Sequence, residues 1–371
     1  MNTYFITGAT GVLGSAVVRE LLADSQNQLV LLVRAENNAA LQKRAAWLVA
    51  SLEINTVTAN RINFVQGDVE QEKLGLSPNE FAKLGERVTH IIHSAASVRM
   101  NHSLERARLA AVTATEHVIQ LAQLGWKNSS LKKMEVVSTV GVGGKRKEPL
   151  PEGWLEEPRD FHNTYEQSKA EAESVLRVEA ERGLPITVHR PSMIVGNSLT
   201  GYILHFQIFY FLLEFITGRR TRGVIPDISE RYVDTIPVDY VARVVSWSSR
   251  NPLTIGRVLH LCAGQKNATS LDKARILAIL KFREKGLFVP YEHILPVPWF
   301  KLLVSSILPF LPRKTRRSVN VLPIFLNYTE NQVFTNTETC EILKNSGFIL
   351  PCPDEFLGPV IDYYLSATYS V

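Results

Sequence analysis

Residues 3–14 read T-Y-F-I-T-G-A-T-G-V-L-G, and the spacing of the three glycines in this stretch decides the fold. Tyr4, Phe5 and Ile6 form a short apolar run that predicts a buried strand. Gly8, Gly11 and Gly14 follow at once, and Val17, Val18, Leu21 and Leu22 then recur at helical spacing. Strand, glycine turn and helix in that order make a dinucleotide-binding unit. Gly8 permits the tight turn, Gly11 lets the backbone approach a pyrophosphate, and Gly14 lets helix and strand pack closely. The helix N-terminus then offers free N–H groups to the phosphates. Thr10, Val12 and Leu13 complete the turn and join the three glycines as expected cofactor-binding residues.

The next apolar run, L-V-L-L-V-R, ends at Arg34, where many dinucleotide-binding folds place an acid that holds the ribose 2′-hydroxyl. An arginine there suits a 2′-phosphate instead. Arg44, in L-Q-K-R-A-A, is a candidate second clamp, so the expected cofactor is NADPH.

Downstream the pattern alternates. Helix is expected over 39–51, strand over 62–66, a turn at Gly67-Asp68, strand over 88–93 and helix over 103–124. Strand 134–138, a helix from about Tyr165 to Arg182 and strand 185–190 close the series. This alternation predicts an α/β fold, a Rossmann doubly wound parallel sheet, with a smaller, mainly helical C-terminal substrate lobe. Such sheets bind ligands at the carboxyl ends of their strands. That singles out Asp68 and Val69, Ser94, Ala95 and Ala96, Ser138 and Thr139, and Pro191 and Ile194. The expected organisation is a cofactor domain over 1–200 with a returning segment at about 232–264. The substrate-binding lobe would comprise 201–231 and 265–371.

In T-Y-E-Q-S-K, Tyr165 and Lys169 stand four apart and share one helix face. A lysine ammonium beside the phenol is expected to pull the tyrosine pKa down from ~10. Proton transfer near neutral pH would follow. A hydroxyl donor would stabilise the oxyanion formed as hydride reaches a carbonyl.

T-G-A-T-G-V-L-G, G-D-V, H-S-A-A, S-T and Y-E-Q-S-K, each after an expected strand, resemble the motifs of the extended short-chain dehydrogenase/reductase family. The resemblance implies a catalytic set of Thr139, Tyr165 and Lys169, with Tyr165 and Lys169 also touching the cofactor. Ser138 is the neighbouring alternative to Thr139. One departure is Ala111 and Ala114 in A-V-T-A-T-E, where the family often has asparagine and glycine. Further stretches resemble the thioester reductase and fatty acyl-CoA reductase branch, with its male-sterility-like NAD-binding domain. They are R-P-S-M-I-V-G-N-S-L-T-G-Y, R-Y-V-D-T-I-P-V-D-Y-V-A and V-F-T-N-T-E-T-C-E-I-L. That branch implies NADPH-dependent reduction of an acyl thioester to an aldehyde and, with a second hydride, an alcohol. The donor would be acyl-CoA or an acyl carrier protein, loaded elsewhere because no adenylation or carrier domain is expected before Met1. The competing readings are a reductase or epimerase of a sugar nucleotide, sterol or other small carbonyl compound, and a non-catalytic NADP sensor.

The bulk composition fits these expectations. Of 371 residues 45% are hydrophobic and 21% charged, with a net charge of +5, ordinary for a globular protein. Three dispersed cysteines without a CxxC pair suit a reducing compartment. No signal peptide is apparent, so a cytoplasmic location is expected. The nine histidines have no metal-ligating spacing, and His90 and His93 read as structural. Phe206, Phe209, Tyr210, Phe211, Leu212 and Phe215 would line a long acyl channel or form lobe core. The basic clusters at 218–222 and 313–317 suit a CoA phosphate, an acidic carrier protein or peripheral contact with anionic lipid. No recognised nucleic-acid module accompanies them.

Overall fold

The computed structural model of the chain describes residues 2–310 and 334–369. Seven parallel strands form its central sheet: β1 Asn2–Thr7, β2 Asn27–Val33, β3 Ile62–Gln66, β4 His90–His93, β5 Lys133–Val137, β6 Ile186–Pro191 and β11 Val258–Leu261. The short strands β7 Met193–Val195, β8 Val224–Pro226, β9 Tyr232–Val233 and β10 Thr235–Pro237 lie between the last two in sequence. The sheet order is β11-β6-β5-β4-β1-β2-β3. Tyr4 therefore pairs with Leu29 on one side and His90 on the other. Connections leave β1 in opposite directions, and the crevice between the ends of β1 and β4 is the topological switch point.

Helices cover both faces, which is why the central strands read as nearly continuous apolar runs. Helices α1 Val12–Leu22, α2 Asn38–Ser51 and α9 Val238–Ser249 supply Val17, Leu48 and Val241 to the core on one face. On the other, α4 Pro78–Arg87, α6 Ala114–Lys127 and α7 Thr164–Glu181 supply Leu84, Val118 and Leu176. Between them in sequence, α3 Thr56–Ala59 and α5 Leu104–Arg108 are single short turns. The mainly helical lobe contains α8 Ile208–Ile216, α10 Leu271–Glu284 and the helices Val297–Ile307, Thr337–Asn345 and Pro353–Thr368. Its apolar side chains join the same core as α1 and α9.

Two boundaries differ from expectation. The strand expected from Val88 begins at His90, because the Val88 amide closes α4 by donating to the Leu84 carbonyl. The continuous helix expected over 103–124 is interrupted by a wide π turn at Leu109–Thr113. The departure residue Ala111 lies in that turn, and its carbonyl accepts the Thr115 hydroxyl at 2.6 Å.

Candidate active site

A cleft of about 500 Å³ opens at the switch point. Gly8 turns the chain there with a φ of +73°, and a Cβ on it would fall 2.6 Å from the Ala95 amide nitrogen. A Cβ at Gly14 would fall 2.2 Å from the Gly8 carbonyl oxygen. Strand end, helix start and the β4 terminus thus meet with no room for a side chain, a cradle shaped for a pyrophosphate. The cleft is lined by Gly8, Thr10, Gly11, Arg34, Arg44, Asp68, Val69, Ser94, Ala95 and Ala96, all expected from sequence. Val12, Leu13 and Gly14 stand behind that wall, with the Val12 and Leu13 side chains in the core.

At the β2 end of the cleft arginines meet acids. Arg44 bridges the site, donating to the Arg34 carbonyl at 2.6 Å and to the Thr10 hydroxyl at 3.0 Å. Arg34 faces Asp68 at 3.5 Å and Glu70 at 3.9 Å. Further lining residues stand outside the expected site: Thr7, Leu32, Val33 and Gly67 beside the expected ones, and Glu70, Ser97, Arg99, His102, Arg106 and Ala110 across from them or beyond. Arg106 Nη1 and His102 Nδ1 are buried without a hydrogen-bond partner among the described residues. No local spacing marks Arg106 and Ala110, since Arg106 lies on α5 and Ala110 in the π turn that follows it.

Thr139, Tyr165 and Lys169 gather at the end of β5, next to β4, and do not line that cleft themselves. The Thr139 hydroxyl is hydrogen-bonded to the Tyr165 phenol and accepts the Gly141 amide at 3.1 Å. Ser138 turns away and donates to Glu173. Glu173 in turn holds the fully buried Arg190 at 2.6 Å. Of the two hydroxyls left open by the sequence, Thr139 meets the tyrosine. The Lys169 ammonium donates to the Val137 carbonyl at 2.7 Å. Pro191 ends β6 and Ile194 lies on β7; neither lines the cleft.

The expected downward shift of the tyrosine is overturned. Burial pushes the Tyr165 phenol up to about 12, opposed by the Thr139 hydrogen bond and reinforced by Glu166. Lys169 is lowered to about 8 by burial, with Glu173 opposing. Desolvation dominates the shift, and Lys169 is not among the groups that move the phenol. The Glu166 carboxyl, buried beside Tyr165, is raised to about 7.

The motif stretches after residue 190 form one unit. Strand β7 pairs in parallel with β10, so Ile194 stands beside Ile236. Asp239 accepts the Ser198 amide at 2.7 Å and its hydroxyl at 2.8 Å. Asp234 accepts the amides of Ala263 and Gly264 at 2.8 and 2.9 Å.

The aromatic run is core rather than channel. Phe209, Tyr210, Leu212 and Phe215 are buried, while Phe211 is half exposed. Phe206 and Tyr210 pack against Tyr364 of helix Pro353–Thr368, with centroids 5.0 and 5.2 Å apart. The buried face of α8 is therefore taken up by contacts within the lobe. In the 218–222 cluster, Arg219 pairs with the buried Glu214 at 3.3 Å and covers the Phe282 ring at 4.6 Å. The 313–317 cluster lies outside the described residues. No described helix is long and apolar enough to cross a membrane.

Comparison with known proteins gives three findings. Residues 6–245 match the NAD-binding family described as male sterility protein. The chain is 30% identical over 267 residues to isonitrile lipopeptide synthase of Streptomyces coeruleorubidus, covering 71% of this chain and 17% of that protein. It is 31% identical over 269 residues to L-2-aminoadipate reductase of Schizosaccharomyces pombe, covering 68% and 18%. The chain thus spans less than a fifth of these two relatives. Among solved structures, the terminal R domain from the myxalamid PKS-NRPS biosynthetic pathway superposes with a TM-score of 0.82. That match is 27% identical and covers 100% of this chain and 92% of the other.

Proposed function

The chain belongs to the male sterility protein family of NAD-binding domains, and on that premise we propose that it is an NADPH-dependent reductase of acyl thioesters. The substrate is an acyl group held on a carrier protein or CoA, and the first product is the aldehyde. The residues at 1–200 and about 232–264 hold the cofactor, and the lobe at 201–231 and 265–371 receives the substrate. The glycine cradle and the arginines at the β2 end of the cleft suit a phosphorylated dinucleotide.

The observation that carries the proposal is the hydrogen-bonded Thr139–Tyr165 pair at the strand end beside the dinucleotide cleft. The bound cofactor supplies the hydride. The two hydroxyls bracket a carbonyl oxygen and stabilise the negative charge that develops on it. A phenol with a pKa of about 12 keeps its proton at neutral pH and is an acid, not a base. That suits the reductive direction, in which the oxyanion must gain a proton. Lys169, one helical turn on, is fixed by the Val137 carbonyl. Collapse of the tetrahedral hemithioacetal then breaks the C–S bond, and the thiol leaves with a proton. Similarity along the whole chain to a terminal R domain supports a carrier-bound donor. A long acyl chain has no comparable support, since the aromatic run is core.

The test is product analysis by mass spectrometry after incubation with NADPH and a panel of acyl-CoA and carrier-bound acyl thioesters. Aldehyde is expected, and absent when Tyr165→Phe replaces the wild type although NADPH still binds. Failure to reduce any thioester overturns the proposal.

A further inference from the structure

One carboxylate oxygen at the β2 end of the cleft serves two arginines. Glu70 Oε1 lies 2.9 Å from Arg106 Nη2 and 3.9 Å from Arg34 Nη2. Arg34 comes from the end of β2, Glu70 from the turn after β3, and Arg106 from α5 across the cleft, so the three close that end from separate elements. The Glu70 side chain is 14% exposed, against 61% for Arg34 and 38% for Arg106. The Glu70 backbone is pinned as well, its amide donating to Asp68 at 3.1 Å. Arg106 Nη1 meanwhile remains buried in the cleft wall without a partner among the described residues. A guanidinium that lines the cleft with one arm satisfied and the other unpartnered can take a second anionic oxygen.

We infer that Arg106 is a third arginine for the 2′-phosphate of the cofactor, beside Arg34 and Arg44, and that Glu70 is its internal competitor. A carboxylate bridging two guanidinium groups stands in for a phosphate oxygen and holds both side chains in the binding posture. A phosphate, with more charge and a third oxygen, displaces it; a bare ribose hydroxyl does not. The carboxylates of Asp68 and Glu70 are the acids facing these arginines. Glu70 therefore sets how strongly the site favours phosphorylated over unphosphorylated dinucleotide. This inference rests on the NADPH reading of the site.

The test is titration calorimetry of the whole chain with 2′,5′-ADP and with AMP, which differ in the 2′-phosphate alone. Glu70→Gln should bind 2′,5′-ADP roughly two- to fivefold tighter, the scale of a partly exposed charge contact, with AMP unchanged. Arg106→Gln should weaken 2′,5′-ADP and spare AMP. Unchanged or weaker 2′,5′-ADP binding by Glu70→Gln overturns the competitor role. An equal loss for both nucleotides in Arg106→Gln overturns the assignment of Arg106 to the 2′-phosphate. If the wild-type chain binds AMP as tightly as 2′,5′-ADP, the NADPH reading itself fails. Matching melting curves of variants and wild type show that each variant is folded.

Discussion

The ammonium of Lys169 donates to the Val137 carbonyl at 2.7 Å, tying α7 to the end of β5 two residues before Thr139. The bond places the lysine's charge in the site, while burial lowers its pKa to about 8. The proton is therefore lost as pH rises through about 8. We expect kcat/KM to fall above about pH 8 as the ammonium is neutralised. Lys169→Arg, whose charge does not titrate there, should lose this alkaline limb. Glu173 opposes the lowering, so Glu173→Gln should move the limb to lower pH. A limb that stays in place in both variants belongs to another group.

Thr139 and Ser138 are adjacent, and their substitution should have opposite signatures. Thr139 meets Tyr165, so Thr139→Val should cost on the order of 10²-fold in kcat with little change in melting temperature. Ser138 serves the buried Glu173–Arg190 pair. Ser138→Ala should therefore cost about 1 kcal/mol of stability and leave kcat near wild type. Steady-state rates and urea melts on both variants decide it, and the reverse pattern would assign the reaction to Ser138.

What was legible in the sequence is what local spacing encodes. A glycine turn between an apolar strand and a helix specifies its own backbone, so Gly8, Gly11 and Gly14 pointed to the cleft directly. Arg34, Asp68 and Ser94 followed because each ends or follows a strand of one parallel sheet. The Glu70–Arg106 bond could not be read this way, because its partners are 36 residues apart and meet only once α5 crosses the cleft. The sign of the Tyr165 shift was missed for a related reason. Residue spacing puts Lys169 on the same helix face, but the depth of burial that raises the phenol depends on everything packed around α7. The aromatic run was ambiguous until helix Pro353–Thr368, about 150 residues on, supplied Tyr364.

That packing makes a prediction for the lobe. Phe209 is 1% exposed and sits edge-on to Tyr210 at 5.6 Å. Phe209→Ala should cost about 3–5 kcal/mol of stability and leave the order of preference among acyl chain lengths unchanged. A selective gain of longer substrates, measured across an acyl-thioester series, would restore the channel reading.

Stability should fall in mild acid, and the sign follows from four buried groups. His90, His93 and His260 are held down to about 4, 3 and 4, chiefly by burial. Each is neutral in the folded chain where the unfolded chain, with an ordinary value near 6.5, binds a proton. Their contribution is complete above about pH 6.5 and is lost as pH falls towards the folded values. Glu166, raised to about 7, acts oppositely: below that pH the folded chain holds a proton that the unfolded chain has not yet taken up. Three histidines against one glutamate leave the unfolded state binding more protons between about pH 4.5 and 6.5. The net loss should be on the order of 2 kcal/mol per pH unit across that window. His93 bonds Thr7 at 2.8 Å in the core, and His93→Gln, which cannot titrate, should flatten the slope by about half. Urea melts at half-unit steps of pH test both values, and a stability independent of pH in this window would mean that these histidines are not neutral in the fold.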